Sequence, residues 1–421
     1  MLQRKIAEKA ARIGVVGLGY VGLPLALLCG QKGFRVTGID SNQSRVISLQ
    51  QGKSFITGVS EEVLRSLLAQ GRLWVTGNFA TVSRCDVIFV CVPTPLTADA
   101  KPDYTHLFLA VESIAAGLRR QQIVIIESTI TPGTTMEKIL PRLEGGGLKV
   151  GQDFFLAFSP ERIDPANKAY SLGNTPKLVA GVTPDCQRVC QEIYTQLGIK
   201  VVPVSTPTVA EMAKLLENTY RDVNIALVNE MAEVCHCIGI DIWEVIKAAA
   251  TKPFGFHPFY PGLGVGGHCI PKDSAYYIYL ARRKGRPALL AEQARKINAD
   301  RPVKIMKRLQ TILVEQGKAL ADCQFLFLGV TYKKDVNDLR ESPTVKVMEL
   351  LVLEGAEVSF HDPYIKKLRI GNRLLARIKL DEGAFARYTC IVLTVPHSCY
   401  DVHWLKAVCP QIVDLTNVLA N

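Results

Sequence analysis

The sequence predicts an α/β protein: two Rossmann-like domains joined by a long central helix. Three observations carry that expectation. Short apolar stretches alternate with helical patterns through the first half, the alternation stops for about thirty residues that hold neither proline nor glycine, and then it returns.

In the first half the strand candidates are residues 13–16, 35–39, 87–92, 124–127, 155–158, 178–180 and 201–204. Strands spaced by helical patterns imply a parallel sheet with crossover helices, here a first Rossmann-like domain of residues 1–204. Thr206 and Pro207 mark a capped helix start, and Gly239 marks its stop. The helix between them is apolar on more than one face, so it needs cover from two sides or from a second subunit. It is read as the spine of a central helical domain, residues 205–302, and as a homodimer contact. Strand candidates 325–328, 357–360, 391–395 and 412–414 then form a smaller α/β domain, residues 303–421. Two such halves, facing each other across a helix, would enclose a cleft.

A length of 421 residues exceeds one ordinary core, in keeping with several domains. The net charge of +11 suits an anionic partner: nucleic acid, an anionic membrane or phosphorylated small molecules. The densest basic group, Arg282-Arg283-Lys284-Gly285-Arg286, reads as the solvated end of a helix, and no aromatic residues interleave the cations as a nucleic-acid surface would require. Neither a nucleic-acid nor a membrane partner is expected. Twelve cysteines without a CxxC pair argue against a disulfide scaffold or a zinc ribbon. Cys235-His236-Cys237 lies in a helical pattern, where consecutive side chains diverge by about 100°, so no metal is expected there. The basic N-terminus precedes an apolar stretch broken by Gly14, Gly17, Gly19 and Gly22, unlike a secretory signal. Free thiols and the lack of a membrane-length apolar window point to the cytoplasm.

Gly17-Leu18-Gly19-Tyr20-Val21-Gly22 follows the first strand and opens a helix. That spacing allows a tight turn and close approach of a pyrophosphate to helix N–H groups. Asp40 ends the second strand, where an acid holds ribose hydroxyls and disfavours the extra phosphate of NADP. NAD is therefore the expected cofactor, with Arg45 pairing either with its pyrophosphate or with a surface acid. Two further turns, 91–95 with Pro93 and Thr94 and 127–135 with Thr129, sit at strand ends and suit a nicotinamide-ribose pocket or ordinary loop chemistry.

Glu211, Lys214 and Asn218 share one helix face. A partly desolvated Lys214 is a candidate proton donor or oxyanion partner, unless it merely pairs with Glu211. The loop 159–163 offers Glu161 as a base. Residues 264–273 place Cys269 after a glycine-rich approach with Lys272 and Asp273 behind it, which fits a nucleophilic thiol or a buried structural one. A nicotinamide site combined with a nucleophilic cysteine implies two oxidations: an aldehyde captured as a thiohemiacetal, converted to a thioester and hydrolysed.

Six stretches in the same order, 17–22, 127–135, 158–163, 211–218, 266–273 and 329–343, resemble the UDP-sugar 6-dehydrogenases of the UDP-glucose/GDP-mannose dehydrogenase family. The resemblance covers nearly the whole chain. It implies four-electron oxidation of a sugar C6 alcohol to a uronic acid, and a central helix that dimerises. It makes Cys269 the nucleophile, Lys214 the proton donor and oxyanion stabiliser, Asn218 its helper, Asp273 the group orienting water, Glu161 a base and Thr129 a water or nicotinamide partner. NAD contacts are implied at Gly17, Gly19, Tyr20, Val21, Gly22, Asp40, Arg45, Pro93, Thr94, Thr129 and Arg340. Substrate contacts are implied at Glu161, Arg162, Ile163, Lys214, Asn218, Arg221, His257, Tyr260, Gly267, Tyr332 and Lys333. Segments 217–230 and 254–262 are similar to the branch acting on UDP-N-acetylglucosamine, while Lys272 looks more like the UDP-glucose branch. His268 resembles the bacterial N-acetylhexosamine enzymes, although a residue next in sequence to a thiol usually points away from it. UDP-N-acetylglucosamine is the expected substrate, with UDP-N-acetylmannosamine and UDP-glucose as alternatives. The rival classes are a two-electron hydroxyacid dehydrogenase, which has no use for a thiol nucleophile, and a non-catalytic sugar-nucleotide sensor.

Overall fold

The computed structural model describes every residue except Thr57, Pro165, Ala166, Lys168, Pro410, Ala420 and Asn421, and the side chains of Glu382 and Ala384. The chain forms two compact units. One comprises Met1–Glu217 with Ala275–Arg286, the other Asn218–Ser274 with Pro287–Asn421. The helical middle of the chain is thus divided between them.

The first unit is built on eight strands: β1 (Arg12–Val16), β2 (Arg35–Ile39), β3 (Leu73–Thr76), β4 (Val87–Val90), β5 (Ile123–Ile126), β6 (Phe155–Phe158), β7 (Lys177–Gly181) and β8 (Val201–Pro203). They lie in the order β3-β2-β1-β4-β5-β6-β7-β8, and every neighbouring pair is parallel except β6 with β7. β4 and β5 are buried at every position, as strands covered on both faces must be. The winding reverses between β1 and β4, so a ligand crevice opens at their carboxyl ends. β3 escapes the sequence reading because it is an edge strand of four residues. Only Leu73 and Val75 face inward, while Trp74 lies exposed.

At the start of β7 a cation is buried between two acids. Lys177 Nζ lies 2.8 Å from Glu127 Oε2 and 3.1 Å from Glu161 Oε2. Tyr194 Oη donates to the other oxygen of Glu127. The two carboxylates hold Lys177 protonated. Burial raises Glu127, whereas Lys177 and the Ile163 N–H lower Glu161 despite its burial. The cluster joins the ends of β5 and β7 to the loop after β6.

In the second unit, β9 (Gln324–Leu328), β10 (Glu357–His361), β13 (Cys390–Leu393) and β14 (Val413–Asp414) form a parallel sheet in the order β10-β9-β13-β14. β11 (Lys367–Ile370) and β12 (Arg373–Ala376) form a separate antiparallel hairpin. His397, fully buried, ties together the loops at the strand ends. It accepts the Asp335 N–H on Nδ1 at 3.0 Å, and its Nε2 lies 3.0 Å from Asp362 Oδ2. That arrangement places the ring proton on Nε2. Asp362 also accepts the N–H groups of Val330 and Tyr364, and these bonds hold its carboxyl below the usual range although it is buried. The first half of the loop 330–342 is therefore pinned.

Removing one partner of a buried ion cluster leaves an uncompensated charge and costs about 3–5 kcal/mol. Lys177→Met is expected to lower the thermal midpoint of the first unit in calorimetry by several degrees. Glu127→Gln added to that variant should recover part of the loss, because the amide carries no charge. An unchanged midpoint in Lys177→Met would mean that the cluster does not support the fold.

Candidate active site

The cofactor end of the first unit starts at Gly17. Its φ is +90°, and a Cβ there would stand 2.8 Å from the Cys91 carbonyl oxygen, so only glycine can turn the chain beside β4. Gly22 packs onto the Gly17 carbonyl just as tightly. Gly19, in contrast, has no heavy atom within 4 Å of where its Cβ would be. That space, at the N-terminus of the helix Gly22–Gln31, fits the pyrophosphate of a dinucleotide. Buried Asp40 accepts the Leu18 N–H on Oδ2 at 2.9 Å and the Asn42 N–H on Oδ1 at 2.8 Å. It is thereby fixed at the end of β2, where it can meet a ribose. Arg45 lies 3.8 Å from Asp40 and stacks over Phe55. Of its two expected partners, the described contacts supply an acid, and that acid is Asp40.

The turns after β4 and β5 are bonded to each other. Thr94 Oγ1 donates to the Thr129 carbonyl at 2.8 Å, and Tyr276 Oη donates to the Thr94 carbonyl at 2.6 Å. Pro93 stands exposed at the tip of its turn. Glu211 does not pair with Lys214. Its carboxylate is buried and accepts the Gly133 N–H together with the N–H and hydroxyl of Thr135. The acid thus anchors the 127–135 loop to the helix Pro207–Cys237, and Lys214 is left buried without it.

The cysteine segment belongs to the second unit. Gly267 has φ +76°, and a Cβ on it would collide with the Tyr332 ring at 2.7 Å. Its N–H donates to the Arg340 carbonyl at 3.0 Å. The segment is therefore laid flat against the 330–342 loop. Cys269 follows, half-buried, directly before the helix Ile270–Arg283. His268 turns towards it: Nδ1 lies 3.4 Å from Cys269 Sγ. An imidazole at that distance can take the thiol proton and stabilise a thiolate, and the helix N-terminus favours the same charge. Behind the thiol, Asp273 is fully buried and accepts from Asn218 Nδ2 on Oδ2 at 2.6 Å. Its Oδ1 accepts no hydrogen bond among the described residues, and the nearest cation, Lys272 Nζ, is 4.0 Å away. A buried carboxylate oxygen left in that state is suited to a water or a substrate hydroxyl.

Other expected site residues have partners that constrain them. Glu161 accepts from Lys177 and from the N–H groups of Arg162 and Ile163, and its lowered proton affinity weighs against a role as base. Arg162 forks onto Glu217, with contacts of 2.7 and 3.2 Å. Arg340 forks onto Asp338. Arg221 and His257 are exposed, and Tyr260 stacks on Trp243 at 5.5 Å. Within the second unit Tyr332 lies against the cysteine segment, and Lys333 follows it on the same pinned loop. Sequence reading missed Lys177 and His397, which carry no local motif. Among the described residues no set of three or more His, Cys, Asp or Glu is placed to hold a metal, and no helix is long and apolar enough to cross a membrane.

Comparison with known proteins identifies the family. Residues 11–198 match the NAD binding domain of the UDP-glucose/GDP-mannose dehydrogenase family, 208–300 its central domain and 326–421 its UDP binding domain. A UDP-N-acetyl-D-glucosamine 6-dehydrogenase from Pseudomonas aeruginosa is 37% identical over 359 residues, 85% of this chain and 84% of that protein. A UDP-N-acetyl-D-mannosamine dehydrogenase from Pyrococcus horikoshii is 36% identical, covering 84% of each chain. The solved structure of a UDP-D-ManNAc dehydrogenase from Pyrococcus horikoshii superposes with a TM-score of 0.86 at 31% identity, over 96% of this chain and 95% of that one. Three consecutive domain matches and this shared fold establish that the chain belongs to the UDP-glucose/GDP-mannose dehydrogenase family of NAD-dependent oxidoreductases.

Proposed function

We propose that the protein oxidises the C6 alcohol of UDP-N-acetylglucosamine to the uronic acid in two steps, with Cys269 as the covalent link. The observation that carries this reading is the half-buried thiol with His268 Nδ1 at 3.4 Å, backed by an Asp273 oxygen that accepts no hydrogen bond among the described residues. A hydroxyacid dehydrogenase needs neither group. Bound NAD supplies the hydride-accepting chemistry. Lys214 protonates or steadies the substrate oxygen, with Asn218 one turn further along the same helix. Loss of a first hydride and of the hydroxyl proton turns the C6 alcohol into an aldehyde. The Cys269 thiolate adds to its carbon while the oxygen takes up a proton, giving a thiohemiacetal, and loss of a second hydride with that proton leaves the thioester. Water oriented by Asp273 then attacks the thioester carbonyl, releasing the carboxylic acid and the thiol. Tyr332 and Lys333 hold the UDP moiety. The choice of sugar rests on the branch-like segments 217–230 and 254–262, and relatives named for either N-acetylhexosamine keep UDP-N-acetylmannosamine as the second reading.

The helix Pro207–Cys237 supports a homodimer. Met212, Leu216, Tyr220, Leu227, Met231 and Val234 are exposed on one of its faces, an apolar seam that a monomer would leave wet. Twelve free cysteines support a reducing, cytoplasmic setting, where the product would feed glycan assembly.

NADH counted against a panel of UDP-sugars is expected to reach two per sugar, fastest with UDP-N-acetylglucosamine. Cys269→Ser should abolish formation of the acid; a variant that still turned over fully to the acid would exclude covalent catalysis. In His268→Ala, alkylation of Cys269 by iodoacetamide should require a higher pH than in the parent protein, and an unshifted profile would remove His268 from thiol activation. Met231→Glu is expected to convert a dimer to a monomer in light scattering, and an unchanged mass would place the subunit contact elsewhere.

A further inference from the structure

Residues 363–380 contain Lys366, Lys367, Arg369, Arg373, Arg377 and Lys379 and no acidic residue, so one 18-residue segment contributes six of the charges behind the net +11. Among the described residues none of these six cations forms an ion pair, and Arg377 spends its Nη1 on the carbonyls of Asp362 and Pro363. The segment is the β11–β12 hairpin. Its register sets Leu368 opposite Leu375 and Arg369 opposite Leu374. Leu368 and Ile370 point into the core of the second unit, with Leu375 packed against it. The other face presents Lys367, Arg369, Leu374 and Ala376 to solvent, and Leu374 is 59% exposed. At the base of the hairpin His361, Arg377, Lys379 and Cys399 line an open cleft of about 520 Å³.

We propose that this hairpin docks the protein on an anionic phospholipid surface. Uncompensated cations require negative charge from the partner, and a leucine projecting among them suits insertion at the level of lipid headgroups. Lysine and arginine on a sheet edge can also serve to block strand addition, but that role gives no reason for the exposed Leu374. The hairpin offers no exposed aromatic ring for base stacking: its one aromatic neighbour, Tyr364, packs on His397. The absence of a spanning helix does not bear on such a peripheral contact.

The test is flotation of the full chain with vesicles of phosphatidylcholine alone or with 30% phosphatidylglycerol. Binding is expected only with the anionic lipid, falling as salt rises. Lys367→Gln with Arg369→Gln should weaken partitioning by about 25-fold, roughly fivefold for each cation. Leu374→Ser should weaken it severalfold, with NAD reduction unchanged in both variants. No binding to anionic vesicles at low salt, or binding insensitive to the double substitution, would overturn the proposal. So would capture of a single-stranded oligonucleotide in place of vesicles, which would assign the patch to nucleic acid.

Discussion

The position of the Cys269 thiol depends on one close approach. Gly266 and Gly267 lie against the Tyr332 side chain at distances that no Cβ tolerates, and the Gly267 N–H bonds to the Arg340 carbonyl. The loop they rest on is itself fixed by Asp362 and His397, which satisfy backbone groups in its first half. Hydrogen bonds thus lead from the ends of β9, β10 and β13 into the 330–342 loop, and from that loop to Gly267, two residues before the thiol. Asp362 and His397 are desolvated, so a partner lost from either leaves an unsatisfied polar group and not merely a weaker contact.

The first unit is governed by the same principle with different residues. Asp40 braces the glycine turn through its backbone N–H groups, Glu211 braces the 127–135 loop, and Lys177 balances Glu127 and Glu161. Four acids, Asp40, Glu127, Glu161 and Glu211, hold the loops at strand ends by accepting from donors that would otherwise be orphaned. The crevice at the winding reversal is shaped by carboxylates that belong to the scaffold, which leaves Lys214 as the buried cation on the helix face they adjoin.

Much of this was legible in the sequence where the physical requirement is local. A glycine turn before a helix, a capped helix start and runs of apolar strand residues each declare themselves within a few positions. What escaped was set by distant partners. Lys177 opens a strand, and nothing nearby indicates that its partner stands fifty residues earlier. His397 follows β13 in an ordinary-looking loop. β11 and β12 alternate correctly, but charged outer residues hid the period. His268 was expected to point away because neighbours diverge in regular structure; the left-handed turn at Gly267 removes that regularity and swings the ring onto the thiol. Glu211 was read as a possible partner of Lys214 because spacing alone cannot tell which of two facing groups finds a better acceptor or donor elsewhere.

The division of the chain into units has a consequence for how it folds. The backbone passes from one unit to the other after Glu217, returns at Ala275 and leaves again after Arg286. Tyr276, whose hydroxyl closes onto the Thr94 carbonyl, lies 182 residues beyond its partner. The first unit therefore cannot be completed during synthesis until well past Cys269, and its last strut arrives by a slow, long-range closure. Neither unit can be cut free at a single linker, so a nick anywhere between residues 217 and 286 should compromise both.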